Sequence, residues 1–284
     1  MTAELLAIIS AFFLAAAGVT IRFGLTRKTS PFTAFITFGA GAVFVWLIVL
    51  IMGYELPNRT GMVFFALRGI LDPGISALII FIVLRKVGVV ITATIMATHP
   101  LISSFLAIIF LNESITLFIA LGTVVIILGV ILLNFTHTKN MARLKYVLMA
   151  FTGAILVGTS VVVTKFALNN SNTPVSGLAI SFTVGVLFHA IIIIILRKWN
   201  TLRMSWNDSK WFILAGVFVF VGFLFGFNAL SQGKAIIVAP LAGTAPLFTL
   251  LLSRLLLKKY ETITKSIVIG TVFVVIGAAI LALV

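Results

Sequence analysis

Ten apolar runs, each about as long as a bilayer is thick, constrain this chain more than any other feature in it. They fall near residues 4–24, 31–53, 61–84, 88–111, 115–135, 144–166, 175–196, 211–231, 235–257 and 263–283. A helix crossing ~30 Å of hydrocarbon needs roughly 20 apolar residues, so these runs consume most of the 284 residues and leave no room for an extramembrane domain. Backbone groups inside lipid must bond within their own segment, and the runs are too long for the alternating strands of a barrel, so the spans are read as helices. Composition agrees, with 62% hydrophobic residues, 9% charged and a mean hydropathy of +1.29, where a soluble domain carries about 25% charged residues. The first run starts at Glu4 with neither a basic leader nor a small-residue cleavage site, which predicts a retained span and not a signal peptide.

The net charge of +14 comes from 20 Lys and Arg against six acids. All of these cations but Arg68 sit at or between the ends of apolar runs, where they snorkel and anchor a helix, so lipid and not nucleic acid is the expected partner. With no cysteine there is neither a disulfide nor a thiolate site, and three histidines without paired spacing predict no metal and no cofactor. Turn signals separate the runs: Thr29-Ser30-Pro31, Pro57-Asn58-Arg59, Asn172-Thr173-Pro174 and Ser205-Trp206-Asn207-Asp208.

The two halves of the chain repeat each other. Arg22-Phe23 closes the first run as Lys165-Phe166 closes the sixth, and Pro31 opens the second as Pro174 opens the seventh. Thr98 with Pro100-Leu101 recurs as Thr244 with Pro246-Leu247, and Gly122-Thr123 with Gly129 recurs as Gly270-Thr271 with Gly277. The chain therefore reads as two five-helix units, residues 1–137 and 143–284. Five is odd, so the second copy is expected upside down relative to the first. Sixteen cations lie at odd-numbered connections and three, Arg59, Lys165 and Lys234, at even ones. The positive-inside rule then places both termini outside. The fold class expected is an all-α membrane protein of ten transmembrane helices in two inverted five-helix repeats, the arrangement that lets one half of a carrier rock against the other.

Two stretches resemble the drug/metabolite transporter superfamily in its ten-span EamA-like branch. One runs from Ala229-Leu230 through Ala235 and Ala239 to Pro246-Leu247-Phe248, the other from Pro100-Leu101 through Leu111-Asn112-Glu113-Ser114 to Gly122 and Gly129. Two departures from the family pattern are Asn112, where Gly precedes the acid in the family, and Glu261, two residues further from its proline than Glu113 is. The resemblance implies secondary transport by alternating access around a cavity bounded by spans three, four, eight and nine. It implies a substrate among amino acids, nucleotide sugars, amines and other metabolites, which many members move outward, with coupling to protons or by exchange, and termini in the cytoplasm, against the charge bias.

A polar or ionisable residue at mid-span costs about 2.5–3.5 kcal/mol on insertion scales, so each needs a reason. Asp72 lies at the centre of the third span with Arg68 one turn earlier on the same face, followed by Pro73-Gly74. Either the two neutralise each other in the bundle, or they face a cavity where Asp72 takes a proton or a cation and Arg68 a carboxylate or phosphate. His99 lies at a similar depth in the fourth span and is either a proton relay or a packing residue, with His189 a weaker candidate. Phe220, Phe223 and Phe227 share one face of the eighth span, either as core or as an apolar pocket wall with Asn228 its polar point. Trp46 has similar standing, and Thr244 is a ligand candidate in a ninth span otherwise suited to close helix contact.

The reading is therefore a secondary active transporter, an exporter or exchanger, of a small polar or zwitterionic metabolite. The substrate site is placed at Trp46, Arg68, Asp72, His99, Phe223, Phe227, Asn228 and Thr244, with proton coupling at Asp72 and His99. A multi-pass protein of a prokaryotic cytoplasmic membrane is expected, as monomer or homodimer. A passive channel would need charged rings or filter loops and an intramembrane enzyme a nucleophile elbow or metalloprotease helix; the sequence offers neither.

Overall fold

The structure, a computed structural model, describes residues 1–27, 32–111, 141–197, 204–257 and 264–281, with isolated positions between 117 and 129. The described residues are helical with short connections, and no strand occurs among them. We number the helices α1 (Ala3–Arg27), α2 (Phe32–Met52), α3 (Arg59–Gly69), α4 (Ser76–Val87), α5 (Val89–Met96), α6 (His99–Leu111), α7 (Met141–Asn170), α8 (Pro174–Ile195), α9 (Trp206–Gln232), α10 (Ala235–Ala242), α11 (Ala245–Leu256) and α12 (Lys265–Leu281). Among the described residues eight spans are long and apolar enough to cross a bilayer, and they match the expected spans one to four and six to nine. The tenth expected span corresponds to the shorter α12, and the fifth, with the Asn112-Glu113 motif, lies largely outside the described residues.

Local chemistry sets the helix ends. Asn58 Oδ1 accepts the Gly61 amide at 2.8 Å to start α3, Ser205 Oγ accepts the Asp208 amide at 3.3 Å to start α9, and Pro174 opens α8 where no amide is needed. Spans three, four and nine are each two helices. In the third, α3 and α4 are joined by the wide turn Ile70–Ile75, in which Asp72 is extended at φ −149° and ψ 116° and Pro73 removes a donor. In the fourth and ninth, the breaks match each other. Thr98 Oγ donates to Ile95 O at 2.8 Å and Thr244 Oγ to Leu241 O at 2.7 Å, and each threonine's carbonyl then accepts the amide three residues on at 3.0 Å. The two breaks touch, since a Cβ on Gly243 would stand 2.9 Å from the Pro100 ring.

Helix α1 runs antiparallel to α9 along nearly its full length: Gly24 meets Phe212, Leu14 meets Gly222, Ser10 meets Gly226 and Ala3 meets Gly233. Small residues allow that approach, as membrane interfaces require. Arg22, near the end of α1, donates to Arg85 O at 2.9 Å in the last turn of α4. Lys165, its counterpart in α7, donates to Leu230 O at 2.9 Å and Gly233 O at 2.8 Å, where α9 ends. Both cations satisfy carbonyls that a helix C-terminus leaves without partners. The outer surface is apolar, with Ile51 76% and Leu255 74% exposed, as a lipid-facing surface should be. This is a multi-pass integral membrane protein.

Candidate functional site

The break in the third span places charge inside the bundle. Arg68, on the last turn of α3, is 2% exposed, and its Nη2 donates to Asp72 Oδ2 at 2.9 Å. Asp72, 4% exposed, also accepts a hydrogen bond from Ser76 Oγ at the start of α4. One carboxylate thus ties together the two helix ends that the turn separates. The guanidinium carbon lies 4.5 Å from the Phe223 ring centre and 5.0 Å from that of Phe227, within cation–π range.

The distorted turn is held from α8. His189 Nε2 donates to the Pro73 carbonyl at 3.0 Å, which fixes the Nε2–H tautomer for the neutral ring. The imidazole stacks on Phe38 at 6.1 Å and 20°. Gly185 lets α8 come close, because a Cβ there would overlap the Pro73 ring. Ser181 Oγ, also on α8, donates to Phe65 O at 2.9 Å.

Two cavities meet at this centre. The smaller, about 80 Å³, is walled by Arg68, Asp72, His99, Phe223 and Phe227 together with Thr164. The larger, about 230 Å³, is mostly apolar, with Ile21, Phe38, Phe81, Met96 and Val219 on its wall. Leu14, Asp72, His99, Val157, Phe223 and Ala242 line both. The smaller cavity extends toward Leu230 at the end of α9, and the larger toward Leu84 at the end of α4. Those ends are separated by the length of α1, which reaches from Ala3 beside Gly233 to Arg22 beside Arg85. His99 Nδ1 is buried and has no protein partner.

Five of the eight residues chosen from sequence, Arg68, Asp72, His99, Phe223 and Phe227, come together here. The other three turn elsewhere. Asn228 Nδ2 donates back to Leu224 O at 2.7 Å, and the Thr244 hydroxyl is engaged within its own turn. Trp46 Nε1 donates to Thr183 Oγ at 2.8 Å and joins α2 to α8. Ser76 was missed, although its spacing four residues after Asp72 puts it on the same helical face. No group of three or more candidate metal ligands occurs among the described residues.

A broken, charged span beside an internal cavity in a two-part helical bundle agrees with the resemblance seen in sequence. The model of the EamA-like transporter family matches residues 1–135 and, a second time, residues 144–283. The chain belongs to the EamA-like transporter family. Membership makes it a membrane transporter of the drug/metabolite transporter superfamily with that family's two-repeat architecture. An uncharacterized protein of Methanocaldococcus jannaschii is 36% identical over 100 residues, 35% of this chain and 70% of that one. A solved crystal structure covers 98% of this chain and 97% of its own at a TM-score of 0.69 and 14% identity, a likeness that speaks for the fold alone.

Proposed function

We propose that this EamA-like protein is a secondary carrier, an exporter or exchanger, that moves a small polar or zwitterionic metabolite such as an amino acid or amine. It works by alternating access in a prokaryotic cytoplasmic membrane. The observation that carries the reading is the Arg68–Asp72 pair in the wall of an internal cavity, at a break in the third span. A charge pair kept this deep in a membrane bundle is costly unless it serves a substrate or ion path. The two units are read as inverted copies, supported by the matching breaks at Thr98 and Thr244 and by the paired cations Arg22 and Lys165. Two cavities that share a floor and extend toward opposite ends are what a two-sided carrier requires, one route to each face.

Asp72 and His99, on the shared floor, are the proton-coupling candidates. The decisive experiment reconstitutes the purified chain in proteoliposomes and measures counterflow of labelled amino acids and amines, with and without a pH gradient. Saturable counterflow is expected, whereas flux at channel rates, or none for any compound in the panel, would refute a carrier. Asp72→Asn is expected to abolish pH-driven transport while leaving part of the exchange. Undiminished pH-driven transport would remove Asp72 from coupling.

A further inference from the structure

The end of the bundle where α4 finishes and α7 begins gathers cations without counter-charge. Arg85 and Lys86 lie in the last turn of α4 and Lys145 near the start of α7, and all three are exposed. Other cations are engaged: Arg68 with Asp72, Arg22 with the Arg85 carbonyl, Lys165 with those of Leu230 and Gly233. No carboxylate of the described residues pairs with Arg85, Lys86 or Lys145. Glu4 and Glu55 stand at the opposite end, where α1 starts and α2 has ended, Asp72 is buried at mid-span, and Asp208 is bonded by Ser205 on α9. Like charges crowded at one place repel until an anion joins them.

Packing says what kind of anion fits. Lys86 Nζ lies 5.8 Å from the Tyr146 ring centre, and further along α7 a Cβ on Gly153 would stand 3.5 Å from Ile80 Cγ1, so α7 runs antiparallel to α4. Val83 and Val87 close the inside of this seam against Val147 and Ala150. Its outside is apolar: Ile82, one turn before Lys86, and Leu148, three residues after Lys145, are both exposed. Because the helices are antiparallel, both apolar residues lie on the membrane side of their lysines. The seam therefore presents a cationic rim over an apolar strip, with Tyr146 where an amphipathic ring meets head groups. A phospholipid matches that order, phosphate first and acyl chains below. A zwitterionic head group brings its own ammonium against three cations, whereas a net negative one does not.

We propose that the seam between α4 and α7 is a binding site for an anionic phospholipid. Lys86 and Lys145 hold its phosphate beside Tyr146, and its acyl chains lie along Ile82 and Leu148. Ile80 and Leu84 of α4 and Val157 of α7 wall the larger cavity, so the lipid clamps two walls of that cavity from outside, whatever the chain carries.

The test varies the lipid first, so that it does not depend on a variant folding. Thermal unfolding of the wild-type chain in detergent is followed during titration with dioleoyl phosphatidylglycerol, dioleoyl phosphatidylcholine or inorganic phosphate. Phosphatidylglycerol is expected to stabilise at concentrations about tenfold or more below those phosphatidylcholine needs, and inorganic phosphate, which has no acyl chains, not to stabilise. Two double variants then locate the site, with retained lipid counted by native mass spectrometry. Lys86→Gln with Lys145→Gln is expected to abolish the preference for phosphatidylglycerol. Lys210→Gln with Lys265→Gln removes as much charge at the starts of α9 and α12 and is expected to leave the preference in place. Equal stabilisation by the two lipids, stabilisation by phosphate alone, or equal loss of preference in the two double variants would overturn the assignment, the last by showing attraction to the charged end as a whole.

Discussion

Arg68 and Asp72 stabilise each other only while both are present. Removing one member of a buried pair typically costs about 3–5 kcal/mol, because the remaining charge stays buried without its partner. Asp72→Asn is therefore expected to lose about 3 kcal/mol in chemical denaturation in micelles, and a variant as stable as wild type would mean the pair is more hydrated than its 2% and 4% exposures imply. His189 permits a sharper comparison. His189→Ala strands the Pro73 carbonyl at a cost of roughly 1–2 kcal/mol, whereas His189→Gln keeps a donor and should recover part of the loss. Equal destabilisation by the two would show that ring packing against Phe38, and not the hydrogen bond, is what counts. The spacing of Arg68 and Asp72 made their pairing readable from sequence, and Ser76 was within reach of the same reasoning. His189 was not, because its partner is a backbone carbonyl on another helix 116 residues away, and backbone leaves no signature in side-chain patterns.

The helices themselves follow from apolar length and caps, which is why eight expected spans recur with ends shifted by only a few residues. The breaks were partly readable. Pro73, which removes a backbone donor, and Gly74 stand at the one in the third span, and the repeated threonine and proline at 98–100 and 244–246 marked equivalent positions in the fourth and ninth. That those breaks touch through Gly243 and Pro100 depends on helix packing that periodicity does not encode. Lys165 shows what charge counting misses. It stands against the bias of the other cations because it caps α9 locally, bonding the carbonyls of Leu230 and Gly233. Charge-assisted bonds of this kind contribute about 1.5–3 kcal/mol each. Lys165→Met is thus expected to lower the melting temperature measurably and Lys165→Arg to restore most of it. A neutral Lys165→Met would mean the α9 terminus is satisfied by other groups.

Taken together, the halves enclose one centre from which space extends toward both ends of α1: toward Leu84 through an apolar chamber, and toward Leu230 past the charge pair. In the proposed inverted arrangement of the halves these routes would be equivalents of each other, and alternating access requires that only one be open at a time. The chain contains no cysteine, so single cysteines introduced at these positions report without background. The most direct test places Leu84→Cys and Leu230→Cys in separate, otherwise wild-type chains in oriented vesicles and probes each with a membrane-impermeant thiol reagent. Alternating access predicts that the two are labelled from opposite faces and that a transported substrate changes their labelling in opposite senses. Labelling of both from the same face, or of either from both faces at once, would contradict it.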